Sequence, residues 1–208
     1  MRVVGHRMRL TQSHIDRMQI PQRFWFVKRG EIIPEVRAII DKYIKNLDGN
    51  LDKGEGLLMW GSNGSGKTSA AVFIGMEARR RGATVFFVTA ERLRASVLEK
   101  EMFDDDQTIM ERARAVDFLI LDDLGKEHPG ETGFSERLFE NLLRERSARK
   151  QTTIITTNLC VEDLRKTYIR SMLEVMREAM YPLAFEGENL RKAVEADLHA
   201  RHSVSLTG

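Results

Sequence analysis

Residues 57–68 decide the fold, and they read Leu57-Leu58-Met59-Trp60-Gly61-Ser62-Asn63-Gly64-Ser65-Gly66-Lys67-Thr68. The first four residues are apolar and predict a short buried strand. The next eight match in full the glycine-rich loop that binds phosphate between a strand and a helix. Glycines let such a loop turn tightly with its N–H groups toward an anion, and the helix N-terminus adds partial positive charge. The stretch therefore predicts a strand, a phosphate loop and a helix from Lys67 to about Arg80.

The polar residues of this loop have expected partners in a bound nucleotide. We expect the Lys67 ammonium to reach the β- and γ-phosphates of ATP, and the Thr68 hydroxyl to bind Mg²⁺. The remaining candidate contacts to ATP are Gly61, Ser62, Asn63, Gly64, Ser65, Gly66 and Ser69. A glycine-rich turn with a chance Lys-Thr pair is the alternative, and the flanking strand and helix disfavour it.

A second apolar run ends in two acids, in the sequence Leu119-Ile120-Leu121-Asp122-Asp123. The carboxyl ends of parallel strands face the ligand crevice. We therefore expect Asp122 to bind Mg²⁺ and Asp123 to polarise the water that attacks the γ-phosphate. A solvated turn is the alternative, but the phosphate loop about 55 residues earlier favours the metal site.

A third strand ends in an amide side chain. The β-branched stretch from Thr152 to Thr157 predicts a strand, and Asn158 follows it. If this strand lies between the two motif strands, the Asn158 amide can hydrogen-bond the attacking water or the γ-phosphate. An Asx turn that closes the strand is the other interpretation, and the residues alone leave both open.

Strands and helices alternate along the rest of the chain. Further strands are predicted at 83–89 and 181–185. Helices are predicted to begin at Pro34 and to cover 91–100, 106–115, 134–148, 161–180 and 188–200. This alternation predicts an α/β fold with a parallel sheet that helices cover on both faces.

The composition is typical of a soluble globular protein. Of 208 residues, 42% are hydrophobic and 31% are charged, and the net charge of +2 excludes nucleic-acid binding through bulk charge alone. The single cysteine, Cys160, excludes a disulfide scaffold. No apolar run reaches the roughly 18 residues that span a bilayer, and no signal peptide opens the chain. We therefore expect a cytoplasmic protein without a membrane partner.

The first 30 residues are basic, with seven Lys or Arg side chains and one acid, Asp16. A short helix is expected near Ser13, ended by Pro21. We interpret 1–30 as a basic N-terminal arm, 31–200 as one domain and 201–208 as a flexible tail. The arm is either a solvated extension or a contact for nucleic acid or a partner.

Taken together, these segments resemble the AAA+ ATPases of the DnaC/IstB-like group, which includes helicase loaders and transposition helpers. The resemblance extends from about Ile20 to Arg191. Besides the phosphate loop it rests on Ile20-Pro21-Gln22-Arg23-Phe24, Leu121-Asp122-Asp123-Leu124-Gly125-Lys126-Glu127, Thr153-Ile154-Ile155-Thr156-Thr157-Asn158-Leu159 and Phe185-Glu186-Gly187-Glu188-Asn189-Leu190-Arg191. It implies a three-layer P-loop NTPase fold of the ASCE type, without the C-terminal helical lid. It also implies that Asn158 senses the γ-phosphate and that Arg191 lies near the nucleotide.

The resemblance further implies an arginine finger that reaches the ATP of a neighbouring subunit. The family carries two arginines before the last strand, and Arg170 matches the first. The second position falls near Glu174 or Val175, and Arg177 is close but out of register. Either Arg170 or Arg177 has taken this role, or hydrolysis between subunits is weak.

Two basic groups are candidates for further contacts. The helices at 91–115 occupy the place where this family lines a channel for single-stranded DNA, and their basic residues are Arg92, Arg94, Lys100, Arg112 and Arg114. Acidic neighbours dilute this group, so a solvated helix face is the alternative. The second group lines a subunit interface or forms a charged helix end, and it comprises Arg144, Arg146, Arg149 and Lys150.

We therefore expect an ATPase that acts in DNA replication by loading a replicative hexameric helicase onto single-stranded DNA, with ATP favouring a homo-oligomer. Loaders of this group usually carry a sizeable N-terminal domain, whereas only residues 1–30 precede the predicted core here. Three alternatives stay open: a transposition helper, an ATP-switched DNA-binding module with negligible turnover, and a small-molecule kinase.

Overall fold

The computed structural model describes residues 8–99, 109–126 and 132–185 of the chain. Five parallel strands form one sheet in the order β2-β3-β4-β1-β5. The strands are β1 Gly56–Gly61, β2 Val85–Thr89, β3 Phe118–Leu124, β4 Thr152–Thr157 and β5 Met180–Phe185. The register places Ile154 of β4 beside both Ile120 of β3 and Leu57 of β1. The predicted parallel α/β sheet is therefore confirmed.

Helices cover both faces of this sheet, which gives the three layers of a P-loop fold. In chain order they are α1 Gln12–Met18, α2 Pro34–Lys45, α3 Leu47–Lys53, α4 Lys67–Arg80, α5 Ala90–Glu99, α6 Ile109–Ala115, α7 Thr132–Ala148, α8 Val161–Thr167 and α9 Arg170–Ala179. Short 3₁₀ turns at Gln22–Phe24 and Arg29–Glu31 precede α2.

The alternating side chains of the strands divide the core in two. Phe118 and Ile120 of β3 pack with the buried residues of α2, α3 and α4. Leu119 and Leu121 of the same strand pack on the other face with α5 to α9. Because successive side chains point to opposite faces, one continuous apolar run supplies both layers.

Helix α3 is not predicted by the sequence, because it contains Gly49 and Asn50, which are poor helix formers. Tertiary contacts stabilise it instead. Leu47 and Leu51, one turn apart, are buried, and the Asn50 side chain donates a hydrogen bond to the Tyr43 carbonyl. Burial of this apolar stripe overrides the low intrinsic propensity.

The described part of the basic N-terminal segment is folded against the domain. The short helix expected there is α1, and it ends with Met18, which is 1% exposed. Met18 and Ile20 belong to the same core cluster as α2, α3 and α4. Trp25 packs against this cluster, and its indole N–H donates to the Ile20 carbonyl at 2.8 Å. The interpretation as a solvated extension is therefore wrong for the apolar residues of this segment.

Strand β5 forms one edge of the sheet and pairs with β1 alone among the described strands. Its Tyr181 and Pro182 are exposed, whereas Met180, Leu183 and Phe185 are buried. Pro182 has no backbone N–H, so the edge has one hydrogen-bond donor fewer.

Some predicted features lie outside the described residues, namely the helix at 188–200 with Arg191, the tail at 201–208 and Lys100. Across the described ranges, no helix has the length and apolar character needed to cross a membrane.

Candidate nucleotide-binding site

The phosphate loop, the acidic strand end and the polar strand end meet at one edge of the sheet. The loop follows β1, Asp122 lies near the carboxyl end of β3, and Asn158 follows β4. Because β4 lies between β3 and β1, these three ends are neighbours. Open α/β sheets bind their ligands at this edge.

Backbone conformation explains the glycines of the loop. Gly61, Gly64 and Gly66 have φ values of 142°, 77° and 90°, which residues with a side chain rarely adopt. Gly66 immediately precedes α4, whose first N–H groups have no partner within the helix and are available to a phosphate. A methyl group at Gly61 would overlap the carbonyl oxygen of Phe185, so the loop also packs tightly on β5.

Lys67 is held inside the loop and is only 5% exposed. Its Nζ donates to the carbonyl oxygens of Gly61 and Ser62, both at 2.8 Å. It also donates to Oδ1 of Asn158 at 3.0 Å, which joins the loop to the end of β4. The ammonium is thus surrounded by oxygen acceptors that the oxygens of a phosphate can replace.

Thr68 and Asp122, the two expected metal ligands, are in direct contact. The Thr68 hydroxyl donates to Oδ1 of Asp122 at 2.8 Å, and the Thr156 hydroxyl of β4 donates to the same oxygen at 2.6 Å. Asp122 is 2% exposed, and this burial raises its pKa. The nearby charge of Asp123 acts in the same direction, whereas the two hydroxyl hydrogen bonds oppose the shift.

Thr156 is a site residue that sequence reasoning missed. Besides its bond to Asp122, its hydroxyl oxygen accepts the backbone N–H of Asp123 at 3.0 Å. It therefore fixes both acids of the β3 end relative to β4. The sequence shows it only as a threonine two positions before Asn158. Because threonine is common in strands for its β propensity alone, this position gave no sign of a role in the site.

Asp123, the expected general base, has a left-handed backbone with φ of 59°. Its carboxylate accepts a bond from Lys126 Nζ at 2.9 Å, and its side chain is 34% exposed. This partner was also not predicted. Asp123, beside the expected Mg²⁺ ligand Asp122, is thus paired with the half-exposed Lys126 at the rim of the site.

Asn158, the expected sensor, connects the phosphate loop to the end of β4. Its Oδ1 accepts from Lys67, whereas its Nδ2 is buried and has no hydrogen-bond partner in the described part of the chain. The turn after β4 is closed by the Thr157 hydroxyl, which accepts the Leu159 N–H at 3.1 Å. A buried amide N–H without an acceptor costs free energy, and a phosphate oxygen would satisfy it.

These groups fit a nucleotide with Mg²⁺. The loop offers helix N–H groups and Lys67 to phosphates, Asn158 offers an unpaired donor, and Thr68 with Asp122 offers two oxygen ligands. Mg²⁺ is commonly held by one or two protein oxygens together with substrate phosphates and water. Of the remaining loop candidates, Ser65 is buried, Ser62 and Asn63 are exposed, and Ser69 is half-buried.

Arg170 is not brought to this site within the described chain. Its side chain is 92% exposed, and its Nε donates to Glu174 at 2.9 Å. It lines a cavity of about 560 Å³ beside α8 and α9, together with Arg165 and Arg177. Both candidate finger residues therefore lie on one exposed face of α9.

Arg146 does not belong to a surface cluster, contrary to the sequence interpretation. It is 1% exposed and donates to the Thr153 hydroxyl at 2.8 Å and to the Ala113 and Val116 carbonyls at 2.7 and 2.8 Å. A fourth bond reaches the Thr152 carbonyl at 2.7 Å. Burial lowers the pKa of this guanidinium to about 9, and the charge of Asp117 opposes the shift. Arg146 thus joins α7 to α6 and β4 in the interior.

The basic residues of α5 and α6 are only partly available. Arg114 pairs with Glu145 of α7 at 3.0 Å. The Arg112 guanidinium lies over the Phe86 ring, 4.4 Å from its centroid. These two side chains are therefore anchored to the domain.

Comparisons with known proteins agree with this geometry. The IstB-like ATP binding protein family matches residues 37–181. The comparison with curated proteins gives no match. The crystal structure of the DnaC helicase loader is similar with a TM-score of 0.68 and 23% identity, over 80% of this chain and 100% of that chain. The DnaI structure gives a TM-score of 0.66 and 20% identity, over 82% of this chain and 94% of that chain.

The replication initiator DnaA bound to AMPPCP and single-stranded DNA is also similar. Its TM-score is 0.60 at 20% identity, over 79% of this chain and 49% of that chain. The structural matches show a common AAA+ fold, and the sequence match covers the phosphate loop, both acids and the polar strand end. The chain therefore belongs to the IstB-like ATP-binding proteins, within the DnaC/IstB-like AAA+ ATPases.

Proposed function

We propose that this protein hydrolyses ATP at the site described and acts in DNA replication. The observation that supports this most is the pair of bonds that join the phosphate loop to both strand ends, from Thr68 to Asp122 and from Lys67 to Asn158. The groups expected to bind the phosphates, the metal ion and the γ-phosphate thus lie close together. This arrangement would hold the reacting groups in place for phosphoryl transfer.

In the proposed reaction, water attacks the γ-phosphorus, and the bond from this phosphorus to the bridging oxygen breaks to give ADP and phosphate. Lys67 and the Asn158 amide stabilise the charge on the γ-phosphate oxygens. Mg²⁺, held by Thr68 and Asp122, would neutralise charge on the β- and γ-phosphates.

Asp123 takes the proton of the attacking water in this scheme. Its carboxylate must first leave Lys126, with which it pairs at 2.9 Å. An exposed ion pair of this kind contributes little free energy, so separating Asp123 from Lys126 costs little. Arg170 of a neighbouring subunit is proposed to supply the positive charge that completes the site, with Arg177 as the alternative on the same helix face.

We further propose that the protein loads a replicative hexameric helicase onto single-stranded DNA as an ATP-dependent homo-oligomer. The likeness to the DnaC helicase loader and to DNA-bound DnaA supports this. The family match supports a second candidate, an ATPase that prepares target DNA for a transposase. The pairing of Asp123 with Lys126 supports a third, an ATP-switched DNA-binding module with negligible turnover.

Two measurements test these proposals. ADP release should depend on Mg²⁺ and exceed that of Lys67→Ala, with and without single-stranded DNA. A rate equal to that of Lys67→Ala would favour the module without turnover. Light scattering after size exclusion should then show a joint peak with a hexameric helicase in ATP and Mg²⁺. Assembly on DNA without such a peak would favour the transposition helper.

A further inference from the structure

A cavity of about 510 Å³ lies at the end of the sheet opposite the nucleotide site. Thr84 and Val85 line it at the start of β2, and Val116 lines it just before β3. Four of its nine lining residues are basic, and none of them is acidic. These basic residues come from α1, α4 and α6, and they are His14, Arg17, Arg79 and Arg112.

The arginines of this cavity have no acidic partner in the described ranges. Arg17 is exposed on α1, and Arg79 donates to the Ala83 carbonyl at 3.3 Å. The next two arginines along the chain behave differently, because Arg80 and Arg81 both pair with Glu77. The described lining of the cavity is therefore basic, and one acid, Asp117, lies beside it and accepts the backbone N–H of the lining residue Thr84 at 2.8 Å.

Arg112 forms the inner wall of the cavity. Its guanidinium lies over the Phe86 ring, so its face is covered while its edge carries the N–H donors. Burial lowers the pKa of Arg112, and the like charge of Arg92 on α5 acts in the same direction. A bound anion would relieve this repulsion.

The N-terminal segment holds its part of the wall in place. The Met8 N–H donates to the Arg80 carbonyl at 2.9 Å, and buried Met18 anchors the other end of α1. The Thr11 N–H donates to Nδ1 of His14 at 3.1 Å, which leaves the proton of a neutral ring on Nε2 as a donor. The cavity is thus formed before any ligand arrives, which lowers the entropy cost of binding.

We propose that this cavity binds a phosphate of a single-stranded nucleic acid. Guanidinium groups match phosphate oxygens in pairs, and arginine is favoured wherever phosphate is recognised. Arg92 of α5 is near enough to Arg112 for the two charges to repel, so it adds positive charge that a neighbouring phosphate of a strand could contact. The proposal rests on the proposed action on DNA, but it places a DNA contact at the end of the sheet opposite the proposed ATP site.

Fluorescence anisotropy of a labelled oligothymidylate, titrated over a range of salt concentrations, tests this with the full chain. Arg17→Ala and Arg112→Gln should each weaken binding and reduce the slope of log K against log salt by about 0.7, the value for one lost phosphate contact. Arg9→Ala is the matched control, because Arg9 lies in the same segment, is exposed and does not line the cavity. Thermal melting confirms that each variant is folded.

An equal loss with Arg9→Ala, or unchanged binding in both cavity variants, would overturn the proposal. So would competition by inorganic phosphate as strong as that by the oligonucleotide, which would assign the cavity to free phosphate. Polyglutamate is the third probe, and a loss confined to its binding would assign the cavity to an acidic protein partner. In the absence of DNA, ADP release by Arg17→Ala should equal that of the wild type, so that failure of this proposal is distinguishable from failure of the ATPase proposal.

Discussion

At the scale of single residues, the surroundings of Asp122 disfavour the charged form of its carboxyl group. Burial raises its pKa above the value in the unfolded chain. The folded state therefore binds the proton more tightly than the unfolded chain does. Below the pKa of the unfolded chain this residue does not affect stability, and as the pH rises from there through the raised pKa the free energy of unfolding falls progressively.

Asp122→Asn is therefore expected to increase the free energy of unfolding near neutral pH while it abolishes ATP turnover. The amide keeps an oxygen that accepts from Thr68 and Thr156 but removes the charge. Urea unfolding at neutral and at acid pH measures the difference, which should disappear at acid pH. A variant that is less stable than the wild type near neutral pH would contradict the argument.

Asn158→Ala should lower ATP turnover by about 10²-fold, the effect of removing one donor to a developing negative charge. Nucleotide binding should change less, because Lys67 and the loop remain. Steady-state ADP release and titration with a fluorescent nucleotide separate the two effects. Asn46→Ala is the control, since this exposed amide lies between α2 and α3. Similar losses for both variants would remove Asn158 from the site.

Arg146→Met should destabilise the protein by about 3 kcal/mol or more, because buried carbonyls lose their donor. Arg149→Met, at an exposed position just after the end of α7, should stay within about 0.5 kcal/mol of the wild type. The midpoint of urea unfolding measures both. A small effect at Arg146 would mean that water replaces its four hydrogen bonds.

Sequence reasoning named candidate site residues that belong to a motif and missed those that act through a neighbour. Lys67 and Asp122 follow from motif spacing, whereas the residues alone left Asn158 open and the family resemblance favoured it. Thr156 and Arg146 have no such signal, because a buried threonine suits any strand and an arginine near a helix end predicts solvent exposure. Their roles depend on the pairing of β3 with β4, which a single sequence does not reveal.

At the scale of elements, α1 belongs to the cooperative unit. Met18→Ala should cost about 2–5 kcal/mol of stability, and Met18→Leu less than about 1.5 kcal/mol, as for other buried methionines. Urea unfolding and the hydrogen exchange of α1 amides measure this. Exchange at the rate of an unfolded peptide in the wild type would show that α1 is not part of the folded core.

This packing affects the design of truncation experiments. Removal of residues 1–30 would delete Met18 and Ile20 from the core along with every basic side chain of the segment. A lost interaction after such a deletion would report instability as well as a missing contact. Substitution of exposed arginines keeps the two effects apart.

Most elements could be predicted from the sequence, but the ends of several could not. The strand from Thr152 to Thr157 is predicted to the residue, since β-branched residues fill it. Strand β3 continues to Leu124, three residues past the last residue of the predicted apolar run, Leu121, with an irregular register between Leu121 and Leu124. Acidic residues disfavour strands in isolation, and here Thr156 supplies the hydrogen bonds that hold them.

At the scale of the whole molecule, the site requires a second subunit if Arg170 acts as a finger. Lys67→Ala and Arg170→Ala should each be nearly inactive alone. Mixed, they should recover part of the wild-type ADP release, because an intact Arg170 can then face an intact Lys67 across an interface. Arg165→Ala, which lines the same cavity, is the control and should stay active. A mixture without recovery would exclude Arg170 from this role, and the same test applies to Arg177.

The proline at the sheet edge has a consequence for how this protein behaves at high concentration. A bare strand edge can recruit another copy of itself and grow into aggregates. Pro182 removes one donor from the edge of β5, and the exposed ring of Tyr181 stands beside it, which disfavours the docking of a second sheet there. If the protein assembles in many copies as proposed, this edge is protected against irreversible self-association through strand pairing.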